Sequence, residues 1–443
     1  MDYDLIVIGS GPGGYVAASR AGMLGKHVLL VEKDELGGVC ANRGCIPAKS
    51  LLHGAKVYHA AKEGAHLGVH GDVSYDFGEA LAWKDDAVTT LRNSIAFLEK
   101  QSHVDVVKGN ALCVDAHHVT IGETSYETEH LLIATGSSPA VPPIPGAKDN
   151  PHVVTSDGIF SLASLPSSVA IVGGGVIGIE FASYFSLLGI KVDVIEMLPE
   201  ILPMMDGELA KLMRRAMASV SFHTGAKVER IEGGKVVFVD TKGVEQSVDA
   251  ELVLIATGRR PNLDGMDNLH LEATRKGIVV DEHMETSVSG VYAIGDVNGI
   301  SLLAHSAEKM AHIATDALYG TGKERFDTSL IPWAVYGEPE AAGCGLTEAQ
   351  ATEKGFEVAS AVSFLRSNGR FLAEEGKRAP GMAKVVADKK SGKILGVHLL
   401  GPASSEMIWG VARPLTVKEL ADTVFPHPSF SEALHDCAEK LMV

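Results

Sequence analysis

Cysteine is scarce in this chain. The 443 residues include five, an odd number, which argues against a secreted scaffold held by paired disulfides. Excess positive charge is missing as well. Lysine and arginine number 39 against 56 aspartates and glutamates, a formal net charge of −17. That balance argues against nucleic acid or an anionic membrane as the main partner. No secretory signal is visible. Met1–Asp4 is acidic where a signal peptide is basic, and Leu5–Ile8 is too short for its apolar segment. The expected location is therefore the cytoplasm. Nor is there an uninterrupted long apolar run. Val169–Ile190 comes nearest, with Glu180 as its only charge, but Gly173, Gly174, Gly175 and Gly178 punctuate it. It divides into a strand and then a helix, so no membrane span is expected. Low-complexity segments are also absent.

Glycine, by contrast, is abundant, at 48 residues, and its placement is patterned. Tyr3–Gly9 (YDLIVIG) has the length of a buried parallel strand. Gly9, Gly11 and Gly14 follow in GSGPGG, then a helical stretch to Gly25, then the strand His27–Val31 and Glu32. This is a βαβ dinucleotide fingerprint. Its glycines permit a tight turn and close approach of a pyrophosphate to backbone N–H groups, and Glu32 would accept hydrogen bonds from ribose hydroxyls. The pattern recurs. Gly173, Gly175 and Gly178 in GGGVIG precede a helix, the strand Lys191–Ile195 and Glu196. In each copy the first glycine stands 23 residues before its glutamate. A single fingerprint is weak evidence; two in the same frame predict two bound dinucleotides. A second echo supports the duplication. LLIATG (Leu131–Gly136, with Thr135 and Gly136 in its turn) matches VLIATG (Val253–Gly258). Each reads as a late strand running into a glycine turn beside its own nucleotide.

Between the two fingerprints lies GGVCANRGCIPAK, Gly37–Lys49. Cys40 and Cys45, with four residues between them, are expected in a short constrained loop that can bring the sulfurs together. Two readings stand. One is a redox dithiol held against a nucleotide cofactor. The other adds His53 and His59 as zinc ligands, at a spacing unlike that of structural zinc sites. Arg43 adds a charge between the cysteines, which either lowers a thiol pKa or faces solvent. Cys113, Cys344 and Cys437 read as inert small residues.

The chain is too long for one core. Ser137–Pro151, rich in proline and glycine, marks one boundary, and Gly258–Asn262 (GRRPN) another. The expected division is 1–150 and 151–262 for the two nucleotide domains, 263–328 for a central segment completing the first, and 329–443 for a separate C-terminal domain. Arg92–Thr128 reads as mixed helix and strand. Gly290–Val297 (GVYAIGDV) is a strand ending at Gly295-Asp296, where Asp296 either closes an Asx turn or holds a cofactor hydroxyl. Ile331–Tyr336, Ala383–Ala387 and Ile394–Leu400 are expected as antiparallel strands, with helices at Thr347–Lys354 and Ser405–Ala412. Ser429-Phe-Ser-Glu432 has the form of a capping box for a helix over Glu432–Leu441.

Taken together these motifs resemble the flavoprotein disulfide reductases, the class I pyridine nucleotide-disulfide oxidoreductases, and among them those acting on dihydrolipoamide. The resemblance covers nearly the whole chain in motif order, ending at HPSFSE. It implies an α/β fold of two Rossmann-like domains, for FAD and then NAD, and a C-terminal α+β dimerisation domain. It implies a homodimer serving a lipoyl-bearing subunit of an oxoacid dehydrogenase or glycine-cleavage complex. Cys45 would face the flavin and Cys40 would exchange with substrate. Lys49 would sit near the flavin and pair with Glu180, which otherwise reads as a solvent-facing helix residue. Asp296 would hold the ribityl chain. His427 and Glu432 would form a base dyad given to the partner subunit, with the carboxylate fixing the imidazole tautomer. Glu196, followed by Met197-Leu198-Pro199 with no nearby arginine, favours NAD over NADP. The resemblance also admits a sister reductase of another disulfide, a metal ion or a quinone, or a catalytically weakened assembly subunit. Departures are Val39, Ala41, Arg43 and Ala48 in the cysteine segment, and Pro414, which shortens a helix near Trp409–Thr416.

Overall fold

Tyr3–Ile8 is the middle of a parallel sheet, and Leu5–Ile8 are buried. A continuous apolar run is what a strand covered on both faces requires. Across the sheet the order is Asp105–Lys108, Val28–Glu32, Tyr3–Ile8, Thr124–Ile133 and Val291–Ala293, all parallel. The first residues of Thr124–Ile133 also pair antiparallel with His118–Ile121, which pairs with Ala111–Cys113. The helices Pro12–Met23 and Ala304–Tyr319 pack on each other beside this sheet. The computed structural model describes all residues, Met1–Val443.

A second sheet repeats the plan around Ser168–Val172. Its order is Val220–Thr224, Lys191–Glu196, Ser168–Val172, Leu252–Ile255 and Val153–Thr155, again all parallel. Here too an antiparallel meander is attached, Lys227–Glu232, Lys235–Val239 and Glu245–Asp249. The apolar stretch at Val169–Ile190 is the strand Ser168–Val172 and the helix Val176–Leu187. No helix is long and apolar enough to cross a membrane. The two connections between the units run side by side, Ser137–Pro139 pairing antiparallel with Arg259–Pro261. The strand Val291–Ala293 returns to the first sheet from beyond the second unit.

The C-terminal sheet is antiparallel and has five strands, in the order Trp333–Val335, Ala341–Gly345, Ile394–Leu400, Met382–Asp388 and Val358–Phe364. The helix Glu432–Met442 lies against its last two strands. The chain is thus an α/β protein with two Rossmann-like units and a C-terminal α+β unit. Two of the five strands were not expected. Ala341–Gly345 (AAGCG) lacks β-branched side chains, because at Gly343 a Cβ would lie 2.5 Å from the Trp333 ring. Helix extents also differ. The segment expected at Ser405–Ala412 is an α-helix over Ser404–Ile408 tightening to a 3₁₀ turn at Trp409–Val411. Phe77–Gln101 is one long helix ahead of the strands in the mixed segment.

That helix carries an unusual burial. Glu99 is 0 % exposed, and neither carboxylate oxygen has a hydrogen-bond partner. Burial pushes its pKa up to about 8. Between its unfolded value of 4.5 and about 8, the folded protein keeps a proton that the unfolded chain releases. Stability therefore falls as pH rises through that window. Glu99→Gln is expected to flatten this slope, so that the variant gains on the wild type between pH 5 and pH 8. The gain is a few kcal/mol, at roughly 1.4 kcal/mol per displaced pKa unit. Thermal midpoints of both proteins at the two pH values measure it.

Candidate active site

The glycines of each fingerprint divide by what surrounds them. A Cβ on Gly9 would lie 2.4 Å from the Ala134 carbonyl, and on Gly173, 2.5 Å from that of Ala256. On Gly14 it would meet the Gly9 oxygen at 1.8 Å, and on Gly178 the Gly173 oxygen at 2.0 Å. These four are demanded by the chain's own packing. Gly11 and Gly175 have nothing within 4 Å of such a Cβ. Each leaves a cradle at the N-terminus of its helix, where free N–H groups favour an anion. The two glutamates act alike. Glu32 accepts from Ser10 N at 2.9 Å and Asp34 N at 2.8 Å. Glu196 accepts from Gly174 N and from Leu198 N. Thr135 Oγ1 donates to the Asn262 carbonyl at 2.7 Å, and Asn262 N donates to that of Gly136 at 3.0 Å. Gly258 accepts from Ala140 N at 2.9 Å. The glycine turns are thus tied to the crossing ribbon. Both cradles, both cysteines, Lys49, Glu180 and Asp296 open on one cleft of about 2110 Å³. That is well above the roughly 300–1,000 Å³ that suits a single small ligand. Beside Glu196 the cleft holds one cation that sequence reasoning passed over, Lys227, paired with Glu229 at 2.9 Å.

Cys40 and Cys45 are joined by a disulfide, with Cα atoms 4.7 Å apart. They do not sit in a loop. Cys40 lies in the short helix Gly38–Arg43, and Cys45 opens the helix Cys45–Glu63. Gly44, at φ −142° and ψ −106°, turns the chain between the two. Pro47 falls in the first turn, where a missing N–H costs no helical hydrogen bond. Asn42 pins the short helix. Its Nδ2 donates to the carbonyls of Leu36 and Gly38, each at 2.9 Å, and its Oδ1 accepts from Arg92. Arg43 is half-exposed, bonded to Asp34 and 3.9 Å from Asp157. Its charge is answered by two carboxylates. Sulfurs bonded to each other leave the zinc reading without its thiolate ligands, and His53 is exposed. The other three cysteines are free and buried.

Lys49 Nζ donates to both Glu180 oxygens, at 3.0 and 2.8 Å. Glu180 faces the interior, at 7 % exposure. Sequence reasoning missed a third partner, Tyr336, whose N–H donates to Glu180 Oε1 at 3.0 Å. It also missed what holds Asp296. The Ser137 hydroxyl donates to Asp296 and accepts from Arg259 Nε at 2.7 Å, and Arg259 Nε is 3.6 Å from Asp296. The arginine was visible in GRRPN, but nothing local pointed it at an aspartate across the crossing ribbon.

His427 and Glu432 meet each other but not the cleft. His427 Nδ1 lies 2.8 Å from Glu432 Oε1, and the imidazole is 78 % exposed. Neither residue lines the cleft beside their own chain's cysteines. The second Glu432 oxygen accepts from Ser429 N at 2.8 Å. Only this half of the capping box forms. The helix N-cap is Ser431, without a side-chain cap bond, because the Ser429 hydroxyl is 2.9 Å from that of Ser431. The hydrogen bond from His427, and then that from Ser429, hold the Glu432 carboxyl below its ordinary pKa.

Two dinucleotide cradles and a disulfide in one cleft define a two-nucleotide, dithiol-linked oxidoreductase. The comparisons give the family. The pyridine nucleotide-disulphide oxidoreductase model matches residues 3–311, and that family's dimerisation domain matches residues 331–438. The chain belongs to this family, whose members use FAD and NAD or NADP. It is 36 % identical to a dihydrolipoyl dehydrogenase of Bacillus subtilis strain 168, over 99 % of this chain and 96 % of that one. It is 38 % identical to dihydrolipoyl dehydrogenase 3 of Pseudomonas putida, over 98 % and 97 %. Among solved structures it resembles the Cu(II) complex of the HOCl-induced flavoprotein disulfide reductase RclA from Escherichia coli. That match has 30 % identity, a TM-score of 0.87 and 99 % coverage of both chains.

The glycine environments generate a paired expectation. Gly14→Ala forces its Cβ onto a backbone carbonyl and is expected to lower the thermal midpoint, by about 1–3 kcal/mol of stability as for other overpacked sites. Gly11→Ala enters open space with an ordinary φ of −64°. It is expected to leave the apoprotein midpoint unchanged and to weaken flavin retention, measured by FAD content after gel filtration.

Proposed function

We propose that this protein oxidises dihydrolipoamide with NAD⁺, as a cytoplasmic homodimer serving a lipoyl-bearing subunit of an oxoacid dehydrogenase or glycine-cleavage complex. The observation that carries the reading is the Cys40–Cys45 disulfide standing between two dinucleotide cradles in one cleft. FAD would be held by Gly9, Gly11, Gly14, Glu32, Thr135, Gly136, Lys49 and Asp296. NAD would be held by Gly173, Gly175, Gly178, Glu196 and Gly258. The Glu196 carboxylate, with no arginine after it, would repel a 2′-phosphate. Lys227 does not overturn this, since its charge is matched by Glu229.

The residues divide the chemistry among them. A carboxylate only accepts, so the His427 Nδ1–H donates to Glu432, which leaves Nε2 free as a base. His427, supplied by the partner subunit, takes a proton from one dihydrolipoamide thiol. The resulting thiolate attacks the Cys40 sulfur, the Cys40–Cys45 bond breaks, and Cys45 leaves as a thiolate. The second substrate thiol then displaces Cys40, its proton passing to the departing Cys40 sulfur as the lipoamide disulfide closes. The two thiols of the substrate are oxidised to a disulfide, and the Cys40–Cys45 disulfide is reduced to two thiols. FAD, held by the first cradle with Glu32, Lys49 and Asp296, would supply an acceptor for that electron pair and a hydride donor for the nicotinamide. The exposure of His427, and its distance from its own chain's cleft, support delivery across a dimer.

A second reading, reduction of another disulfide or of a metal ion, is favoured by the likeness to a flavoprotein disulfide reductase solved with Cu(II). Steady-state assays on a sample of known oligomeric state separate the two. The expected result is dihydrolipoamide oxidation with NAD⁺ well ahead of NADP⁺. His427→Gln should lower that rate about 10²- to 10⁴-fold while leaving NADH-dependent dye reduction intact. Negligible dihydrolipoamide oxidation beside rapid NADH-dependent reduction of Cu(II) would establish the second reading instead.

A further inference from the structure

A carboxylate as buried as Glu180 needs both its charge and its lone pairs answered. Lys49 answers from the helix that Cys45 opens. The remaining partner comes from neither nucleotide unit. The Tyr336 N–H donates to Glu180 Oε1 at 3.0 Å, and Lys49 Nζ stands 4.5 Å from the centroid of the Tyr336 ring. One residue therefore touches both members of the ion pair, the anion by its main chain and the cation by its aromatic face.

The main chain at Tyr336 is firmly placed, while its side chain stays 36 % exposed. It follows directly on Trp333–Val335, the edge strand of the C-terminal sheet. Val335 is fully buried, in the same core as Leu51 and Leu52 of the dithiol helix and Phe181 and Phe185 of the Glu180 helix. Two residues on, Glu338 N donates to Ser183 Oγ at 2.7 Å, a turn along from Glu180. The ring borders the cleft. Burial, then the charges of Glu340, Glu180 and Glu406, hold its hydroxyl above the ordinary phenol pKa, so it adds no anion beside the ammonium.

We infer that Tyr336 is a positioning residue: its ring and its N–H together fix where the Lys49 ammonium stands on the flavin side of the disulfide. The inference rests on the reading of this cleft as a flavin site. It assigns to the C-terminal unit a direct hold on an ammonium one helical turn from Cys45. A cation over an aromatic face is worth roughly 3- to 30-fold in an equilibrium.

The test is the two-electron midpoint potential of the bound flavin, set against reference dyes. Tyr336→Leu keeps the N–H and removes the face; Tyr336→Phe keeps both. The leucine variant is expected to shift the potential to more negative values by about 15–45 mV, which is that fold-change at 30 mV per tenfold. The phenylalanine variant should match the wild type. In a Lys49→Met background Tyr336→Leu should shift nothing, whereas a merely structural role would still show. If the leucine variant does not retain flavin, Tyr336→Met takes its place. An unchanged potential in a flavin-replete variant, or an equal shift in Tyr336→Phe, overturns the inference and leaves the dehydrogenase reading standing. A wild type inactive on dihydrolipoamide that still shows the shift fails the dehydrogenase reading and supports the inference.

Discussion

The Lys49–Glu180 ion pair is where the three units of the chain are held to one another. Lys49 belongs to the helix that begins at Cys45, Glu180 to the first helix of the second Rossmann unit, and Tyr336 to the C-terminal sheet. A buried carboxylate left alone is costly, and the penalty for removing one partner of such a pair runs to about 3–5 kcal/mol. The helices can therefore approach closely only in the register that brings the ammonium to the carboxylate. The apolar core around the pair draws from the same three units. Packing supplies the attraction and the ion pair selects one arrangement, an arrangement that also sets the disulfide at the mouth shared by both cradles.

A strongly acidic protein has no general attraction for a dinucleotide, so the cleft must make its own positive potential. It does so with backbone rather than side chains. The N-termini of Pro12–Met23 and Val176–Leu187 face the cleft, each beside a glycine with open space around it. The acidic residues at the cradles are already engaged. Glu32 accepts three hydrogen bonds and Glu196 two from the turns beside them, which stiffens the loop that must meet the anion. Arg43, the unusual cation between the cysteines, is neutralised by Asp34 and Asp157. Lys49 is answered in the same way, by Glu180.

What was legible in the sequence was what the backbone demands locally. Gly9, Gly14, Gly173 and Gly178 tolerate no side chain because a carbonyl lies within about 2.5 Å of the missing Cβ, so the motif is written directly into residue identity. The duplicated sheets followed from it. The dithiol's spacing was legible, but its helices were not, because Gly37 and Gly44 read as loop residues whereas one caps the short helix and the other turns the chain between the two helices. Residues whose meaning is tertiary were invisible. Tyr336 acts 156 positions from Glu180 and Arg259 acts 122 positions from Ser137, and no periodicity carries such a contact. Ala341–Gly345 failed for a related reason: Gly343 records the bulk of Trp333 opposite and Gly345 the close Leu395 carbonyl, not a strand propensity.

The shortened helix near Pro414 bears on the dyad only through whatever holds His427 in place. The hydrogen-bonded part of that support lies elsewhere. The helix Glu432–Met442 is fastened to the sheet by Ser363 Oγ on Asp436 at 3.0 Å and by Cys437 Sγ, 3.5 Å from the Ala383 carbonyl. The turn before it is fastened by Asn368 Nδ2 on the Ser429 carbonyl at 2.8 Å, while Phe430 is buried. Glu432 then ties that turn to His427 through its two oxygens. None of these contacts passes through Ser404–Ile408 or the 3₁₀ turn after it. The next helix, Val417–Ala421, restarts from its own capping box at Thr416 and Glu419. Apolar packing does cross the shortened segment, since Ile408, Val411 and Leu415 share one buried core with Phe430, Ala433 and Leu434. The segment near Pro414 therefore reaches the dyad through shared apolar packing and not through a hydrogen bond, while Trp409 beside it stands exposed.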